Sequence, residues 1–183
     1  MIQLMLLSSI KFAFNGQIHE MSEIKAATTQ SELIAIERIA KEIWEAHYTP
    51  IIGKNQVAYM LDKFQSLAAM NDQIQEGFYY YSLEEKDKII GYLAFQQRNS
   101  LLFLSKIYIH PSQQGKGYGR LLLDFIKKEA QTMSLSTIQL TVNKYNSRTI
   151  EVYKRYGFEL IKEAVFDIGK GYIMDDYVLE LKV

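Results

Sequence analysis

Three glycines fall within five positions, Gly115-Lys116-Gly117-Tyr118-Gly119, between a β-branched run ending at His110 and an amphipathic, leucine-rich run opening at Arg120. Glycine adopts positive φ without penalty and lets backbone amides approach a ligand without a Cβ in the way, so such a loop brings bare backbone to the mouth of a helix. Three loop chemistries compete here. The dinucleotide fingerprint G-x-G-x-x-G fails because Arg120 stands at its third glycine. The P-loop pattern G-x-x-x-x-G-K-[ST] is absent. What remains is Q-x-x-G-x-G, Gln114 to Gly119, which reads as an anion cradle: amides converge, the helix N-terminus adds its positive end, and Lys116 and Arg120 supply full charges. A pyrophosphate suits it. A tight strand-to-helix turn that binds nothing is the competing reading.

Lys+Arg and Asp+Glu both number 21, so no broad basic surface points to nucleic acid or an anionic membrane. Cysteine is absent, which excludes disulfides, thiolate metal sites and cysteine nucleophiles and fits a cytoplasmic protein. The three histidines, His19, His47 and His110, show no ligand spacing, so no metal is expected. With 183 residues, two prolines and no repeat or linker, the chain reads as a single domain over 21–183. Residues 1–20 are apolar at the front but too short to span a bilayer and lack the form of a targeting signal. They read as an N-terminal extension upstream of a natural start at Met21, an arm that adds a strand or packs on a neighbour.

Periodicity supplies the elements. Ile24 to Ala27 reads as a strand, and Ser31 to Ala46 as a helix ended by Pro50; Gln56 to Ala69 is a second helix. Gly77 to Leu83 and Ile89 to Gln97 form a hairpin around a polar turn, followed by a strand from Leu101 to His110. After the glycine loop come a helix from Arg120 to Thr132, an alternating strand from Thr137 to Asn143, and a helix from Asn146 to Tyr156 stopped by Gly157. Phe158 to Ile168 and Tyr172 to Val183 make a last hairpin. The order β-α-α-β-β-β-α-β-α-β-β predicts an α/β fold, a mixed sheet with helices on both faces.

The stretches "LSKIYIHPSQQGKGYG", "IQLTVN" and "YNSRTIEVYKRYGFEL" resemble the GNAT acetyltransferases, whose acetyl-CoA loop has the form [RQ]-x-x-G-x-[GA]. The resemblance covers nearly everything after Met21. It implies the GNAT acyltransferase fold, with a mostly antiparallel sheet splayed where the arm of acetyl-CoA inserts, and an acetyl-CoA-dependent N-acetyltransferase working by direct attack in a ternary complex. By resemblance the backbone of Ile107, Tyr108 and Ile109 pairs with the pantetheine arm. Gln114, Gly115, Lys116, Gly117, Tyr118, Gly119 and Arg120 hold the pyrophosphate. Asn146 holds the arm, with Asn143, Arg148 and Tyr156 as further cofactor neighbours, and Tyr153 is the general acid for the departing thiolate. Asn146 and Tyr153 are seven residues apart, roughly 10.5 Å along one helix face.

The base is not fixed by the resemblance: Glu42, Glu45, Asp175 and Asp176 are candidates. Trp44 and Tyr48 join these four as candidate substrate contacts, since rings and acids together receive a cation. The stretches "IWEAHYTPIIGKNQVAYML" and "DIGKGYIMDDYVLEL" resemble a bacterial spermidine/spermine acetyltransferase-like branch, which implies a polyamine as the small-molecule acceptor; amino acids, aminoglycosides and protein or peptide amines stay open. A non-catalytic acyl-CoA-binding module and a plain interaction protein are the rival classes. The exposed ends of an open sheet suggest a homodimer.

Overall fold

The computed structural model describes Ile10–Lys11 and residues 22–183. The expected N-terminal extension therefore lies outside the described residues, apart from Ile10–Lys11. In chain order the elements are β1 (Ile10–Lys11), β2 (Ser22–Ala26), α1 (Gln30–Ile52), α2 (Lys54–Gln65), α3 (Leu67–Gln75), β3 (Phe78–Glu85), β4 (Lys88–Arg98) and β5 (Leu101–Ile109). They continue with α4 (Tyr118–Thr132), β6 (Thr137–Asn143), α5 (Ser147–Tyr156), β7 (Glu159–Gly169) and β8 (Tyr172–Lys182). The strands form one sheet in the order β1-β2-β3-β4-β5-β6-β8-β7, antiparallel except where β5 meets β6. No helix among the described residues is long and apolar enough to cross a membrane.

Helices cover both faces. On one, α4 buries Leu122, Phe125 and Ile126 against Leu102 and Leu104 of β5 and Ile138 and Leu140 of β6; Ile150 and Tyr153 of α5 join the same core. Each such side chain withdrawn from water contributes about 2 kcal/mol. On the other face, Leu33, Ile36, Ala40 and Ile43 of α1 pack on Tyr80, Tyr92 and Ala94. The start of α1 is fixed by a reciprocal cap: Glu32 N–H donates to Thr29 Oγ1, and the Glu32 carboxylate accepts from the Thr29 amide at 2.8 Å.

Two helical expectations change. Pro50 does not end α1, which runs on to Ile52 and stops at Gly53, where φ is 82°. So near the C-terminus, a proline forfeits one hydrogen bond without breaking the helix. The second helix is two, because Ser66 is extended and its hydroxyl accepts from Ala69 N–H as a fresh cap, starting α3.

The site is set by a fault in β5. Parallel pairing with β6 covers only Leu102↔Ile138, Phe103↔Gln139 and Leu104↔Leu140. On the other side Ala94 pairs with Lys106 and Phe95 with Leu104, so Ser105 is an extra residue, a bulge. The bulge shifts the alternation. Leu102 and Leu104, then Ile107 and Ile109, face the α4 core, while Lys106 and Tyr108 turn to the α1–α3 side. From Ser105 to Ile109 the β6 side of β5 is open, and the sheet splays there as expected. Gly91 holds β4 close to this segment, since a Cβ on it would lie 2.5 Å from the Tyr108 carbonyl oxygen.

Candidate active site

A cavity of about 770 Å³ opens at the splay, within the range of small-ligand sites. Its walls come from α1–α3, the open part of β5, β6, the start of α5 and the β7–β8 hairpin. Trp44, Tyr48, Ile107, Tyr108, Ile109, Gln114, Asn143, Asn146, Tyr153 and Asp176 all line it. Residues far apart in sequence thus meet in one space. The hairpin is tied down over α2: Gln56 Nε2 donates to the Ile173 carbonyl at 2.7 Å, and the Tyr59 hydroxyl to that of Ile168.

Tyr rings form one wall. Trp44 lies 4.6 Å from Tyr48 and 5.6 Å from Tyr108, centroid to centroid, and its Nε1–H donates to the Tyr92 hydroxyl at 3.2 Å. Burial pushes the Tyr48 hydroxyl up to about 12, opposed by hydrogen bonding to Tyr108 and reinforced by the Asp176 charge. Burial likewise pushes Tyr153 far above the ordinary tyrosine value, with Tyr48 adding to it. Tyr48 is therefore close to both Asp176 and Tyr153, and Tyr153 is held protonated at neutral pH.

Strand alternation separates the two adjacent aspartates. Asp176 turns inward and is 5% exposed; burial raises its carboxyl to about 6, opposed by a hydrogen bond from Thr141 and assisted by the Asp175 charge. Asp175 instead pairs with Lys144 at 2.6 Å, and Lys144 also meets Glu163 at 2.8 Å. Glu42 and Glu45 are exposed on α1 and do not line the cavity. Glu42 instead approaches His110 Nε2 at 3.7 Å, and His110 Nδ1 sits 2.8 Å from the Ser112 hydroxyl, capping the turn that begins the glycine loop.

Asn146 is the N-cap of α5, yet its side chain makes no capping bond and is 4% exposed, facing the cavity beside His47 and Tyr48. Asn143 spends its Oδ1 on the Tyr145 amide at 3.0 Å, shaping the turn. His47 was not singled out from sequence. It lines the cavity, and burial lowers its pKa, opposed by Asn146 and reinforced by the Arg148 charge, so the ring is neutral near pH 7. Its only sequence signal is the neighbouring Tyr48, whose ring it meets edge-on at 4.7 Å.

Beside the cavity, Gly115 and Gly117 have φ of 80° and 88°. Gly117 is the N-cap of α4 and offers no side chain to its amides, and no acid stands in the first turn. The backbone amides of the loop and first turn, the helix dipole, Lys116 and Arg120 together fit a pyrophosphate. Lys116 Nζ is held by Gln113 Oε1 at 2.7 Å, and Gln114 Nε2 donates to the Ile109 carbonyl at 3.3 Å, tying loop to strand. Gly119 has only the Ile109 Cδ1 near its missing Cβ, at 3.8 Å. Two expected cofactor neighbours are used otherwise. The Tyr118 side chain is 1% exposed and donates to Glu85, leaving only its backbone at the loop. The Tyr156 hydroxyl donates to Asp124 Oδ1 at 2.6 Å, bracing α5 on α4. Arg148 is exposed near His47.

A profile of the acetyltransferase (GNAT) domain matches residues 48–173, well over half of the chain, and the protein belongs to that family. It is 24% identical over 140 residues to the UPF0157 protein YqkA of Bacillus subtilis, covering 76% of this chain and 37% of that protein, so it spans well under half of that relative. It is 24% identical over 127 residues to the spermine/spermidine N(1)-acetyltransferase of Bacillus subtilis, covering 63% of this chain and 81% of the relative. The crystal structure of the PaiA N-acetyltransferase of Thermoplasma acidophilum with coenzyme A superposes with a TM-score of 0.73 at 18% identity, over 87% of this chain and 99% of that one. Acetyl-CoA is the co-substrate of the family.

Proposed function

We propose that the protein is an acetyl-CoA-dependent N-acetyltransferase acting on a primary amine of a small molecule. One observation carries this: Tyr153 and Asp176, an acid held protonated and a carboxylate raised toward neutrality, line the same cavity at the open part of β5. Bound acetyl-CoA supplies an acetyl thioester as the electrophile. The loop amides of 115–120, with Lys116 and Arg120, hold its pyrophosphate, and the unpaired side of Ser105 to Ile109 aligns its arm as a strand would. Asn146, free of capping duty, fixes the arm at the start of α5.

An amine attacks only when neutral. Asp176 accepts the proton from the acceptor nitrogen, directly or through water, and its raised pKa brings it nearer the range where a base works well at neutral pH. The Tyr153 hydroxyl donates its proton to the departing sulfur. The rings of Trp44, Tyr48 and Tyr108 shape the wall against which the acceptor lies and keep water from the reacting atoms.

Support for a polyamine acceptor comes from the spermine/spermidine relative and from Asp72, Glu76 and Asp176 in the cavity wall. A buried cation on the same wall favours a different amine class and is taken up below. The test is incubation with acetyl-CoA labelled in its acetyl group against polyamines, amino acids, aminoglycosides and peptides, with products followed by mass spectrometry. One class should accumulate labelled amide together with an equal amount of free thiol. Acetyl-CoA binding with no amide from any class would contradict the proposal.

A further inference from the structure

Lys106 is a cation that this mechanism does not use. The bulge at Ser105 turns it away from the α4 core to the α1–α3 side, where it is 4% exposed and lines the cavity. Its Nζ donates to Gln73 Oε1 at 2.6 Å and lies 5.4 and 5.7 Å from the ring centroids of Tyr80 and Phe78. Gln73 is itself fixed, because the same oxygen accepts from the Tyr80 hydroxyl at 2.7 Å and its Nε2 donates to the Phe64 carbonyl at 3.2 Å.

No carboxylate pairs with Lys106 among the described residues, and burial alone lowers its pKa, to about 7. A buried ammonium has three donors to satisfy, and a single neutral oxygen does not offset its desolvation. A lysine kept for structure alone would be expected to pair with an acid, as Lys144 does with Asp175 and Glu163. Further along the same wall Arg98 lays its guanidinium over Phe103 at 3.8 Å, and burial lowers its pKa too, opposed by Glu76. The cavity wall thus carries Asp176, Asp72 and Glu76, together with a buried lysine that forms an ion pair with none of them.

Resting on the transferase reading, we propose that Lys106 anchors an acidic group of the acceptor, so that the substrate is an amine that also carries a carboxylate, such as an amino acid. The amine lies at Asp176 and Tyr48, and the carboxylate completes the Lys106 ammonium in a charge-assisted hydrogen bond. A polyamine brings no acidic group to Lys106.

The test uses pairs that differ only by the carboxylate: L-alanine and ethylamine, L-phenylalanine and 2-phenylethylamine, L-lysine and pentane-1,5-diamine. kcat/KM is measured for both members with the wild-type protein, Lys106→Met and Lys106→Arg. Wild type should favour the carboxylate member by roughly 10- to 100-fold. Lys106→Met should lose that preference through KM rather than kcat, and Lys106→Arg should restore part of it. Methionine fills a similar volume without charge, and the arginine variant keeps the test open if it folds poorly. Turnover that favours the carboxylate-free members, or a preference that survives Lys106→Met, overturns the proposal and leaves the transferase reading standing. A folded protein that acetylates neither member of any pair overturns the Lys106 proposal, and the transferase reading falls with it only if the wider amine panel also yields no labelled amide.

Discussion

Leu104 pairs with Leu140 across the parallel junction of β5 and β6, and beyond that pair the two strands no longer bond. The next residue, Ser105, is the bulge that redirects β5. One added residue where the parallel pairing ends turns Lys106 and Tyr108 to the α1–α3 side. The cavity is built from this local fault rather than from a long loop.

The glycine loop tests the cradle. Gly117 has φ 88° at the N-cap of α4, a conformation a β-branched residue adopts only under strain. Gly117→Val should weaken acetyl-CoA binding by roughly 10-fold or more while the far-ultraviolet circular dichroism is unchanged. Calorimetric titration of acetyl-CoA checks it.

Asp176 predicts opposite changes in stability and activity. Its carboxyl rises from the ordinary 3.8 to about 6 through burial, among Tyr48 of α1, Thr141 of β6, Asp175 of its own strand and Lys144 after β6. The folded state then holds the proton more tightly than the unfolded chain. Stability from this group is therefore full below about pH 4 and lost as pH rises through 6, a difference of about 3 kcal/mol. Asp176→Asn should raise Tm at pH 7.5 by roughly 5 °C, with a smaller gain at pH 4, while turnover collapses. In wild type, kcat/KM should fall below pH 6 as the base is protonated, and a pH–rate profile shows whether it does.

Gly91 is a packing requirement rather than a flexible joint. A Cβ there would stand 2.5 Å from a backbone oxygen, so β4 or the end of β5 must move. Gly91→Ala should cost roughly 2 kcal/mol or more in urea unfolding and lower activity by displacing Tyr108.

Much of this was legible in the sequence, because each element there has one strong period. The alternation from Thr137 to Asn143 is the strand β6 to the residue, and Gly157 stops α5 with φ 115°. The two-signature resemblance singled out the loop that opens α4 and Tyr153, which lines the cavity. The bulge was hidden, since "LLFLSKIYI" reads as one unbroken strand and only the pairing with β4 reveals the extra residue. Lys106 and His47 were passed over for a related reason: the segments that bury and contact them, with Gln73 beside one and Asn146 beside the other, are distant in sequence. Alternation implied that one of Asp175 and Asp176 turns inward but not which. Tyr118 shows the limit of a motif, because a loop position can be filled by a side chain that belongs to the core.

The most direct test of the account is steady-state CoA release by Tyr153→Phe against wild type on the best acceptor, with acetyl-CoA affinity measured on both. The substitution removes one hydroxyl from a buried ring and leaves its contact with Phe158, 5.5 Å between centroids, in place. If Tyr153 protonates the leaving sulfur, kcat falls by roughly 10²- to 10⁴-fold with acetyl-CoA affinity unchanged. An undiminished kcat would contradict it.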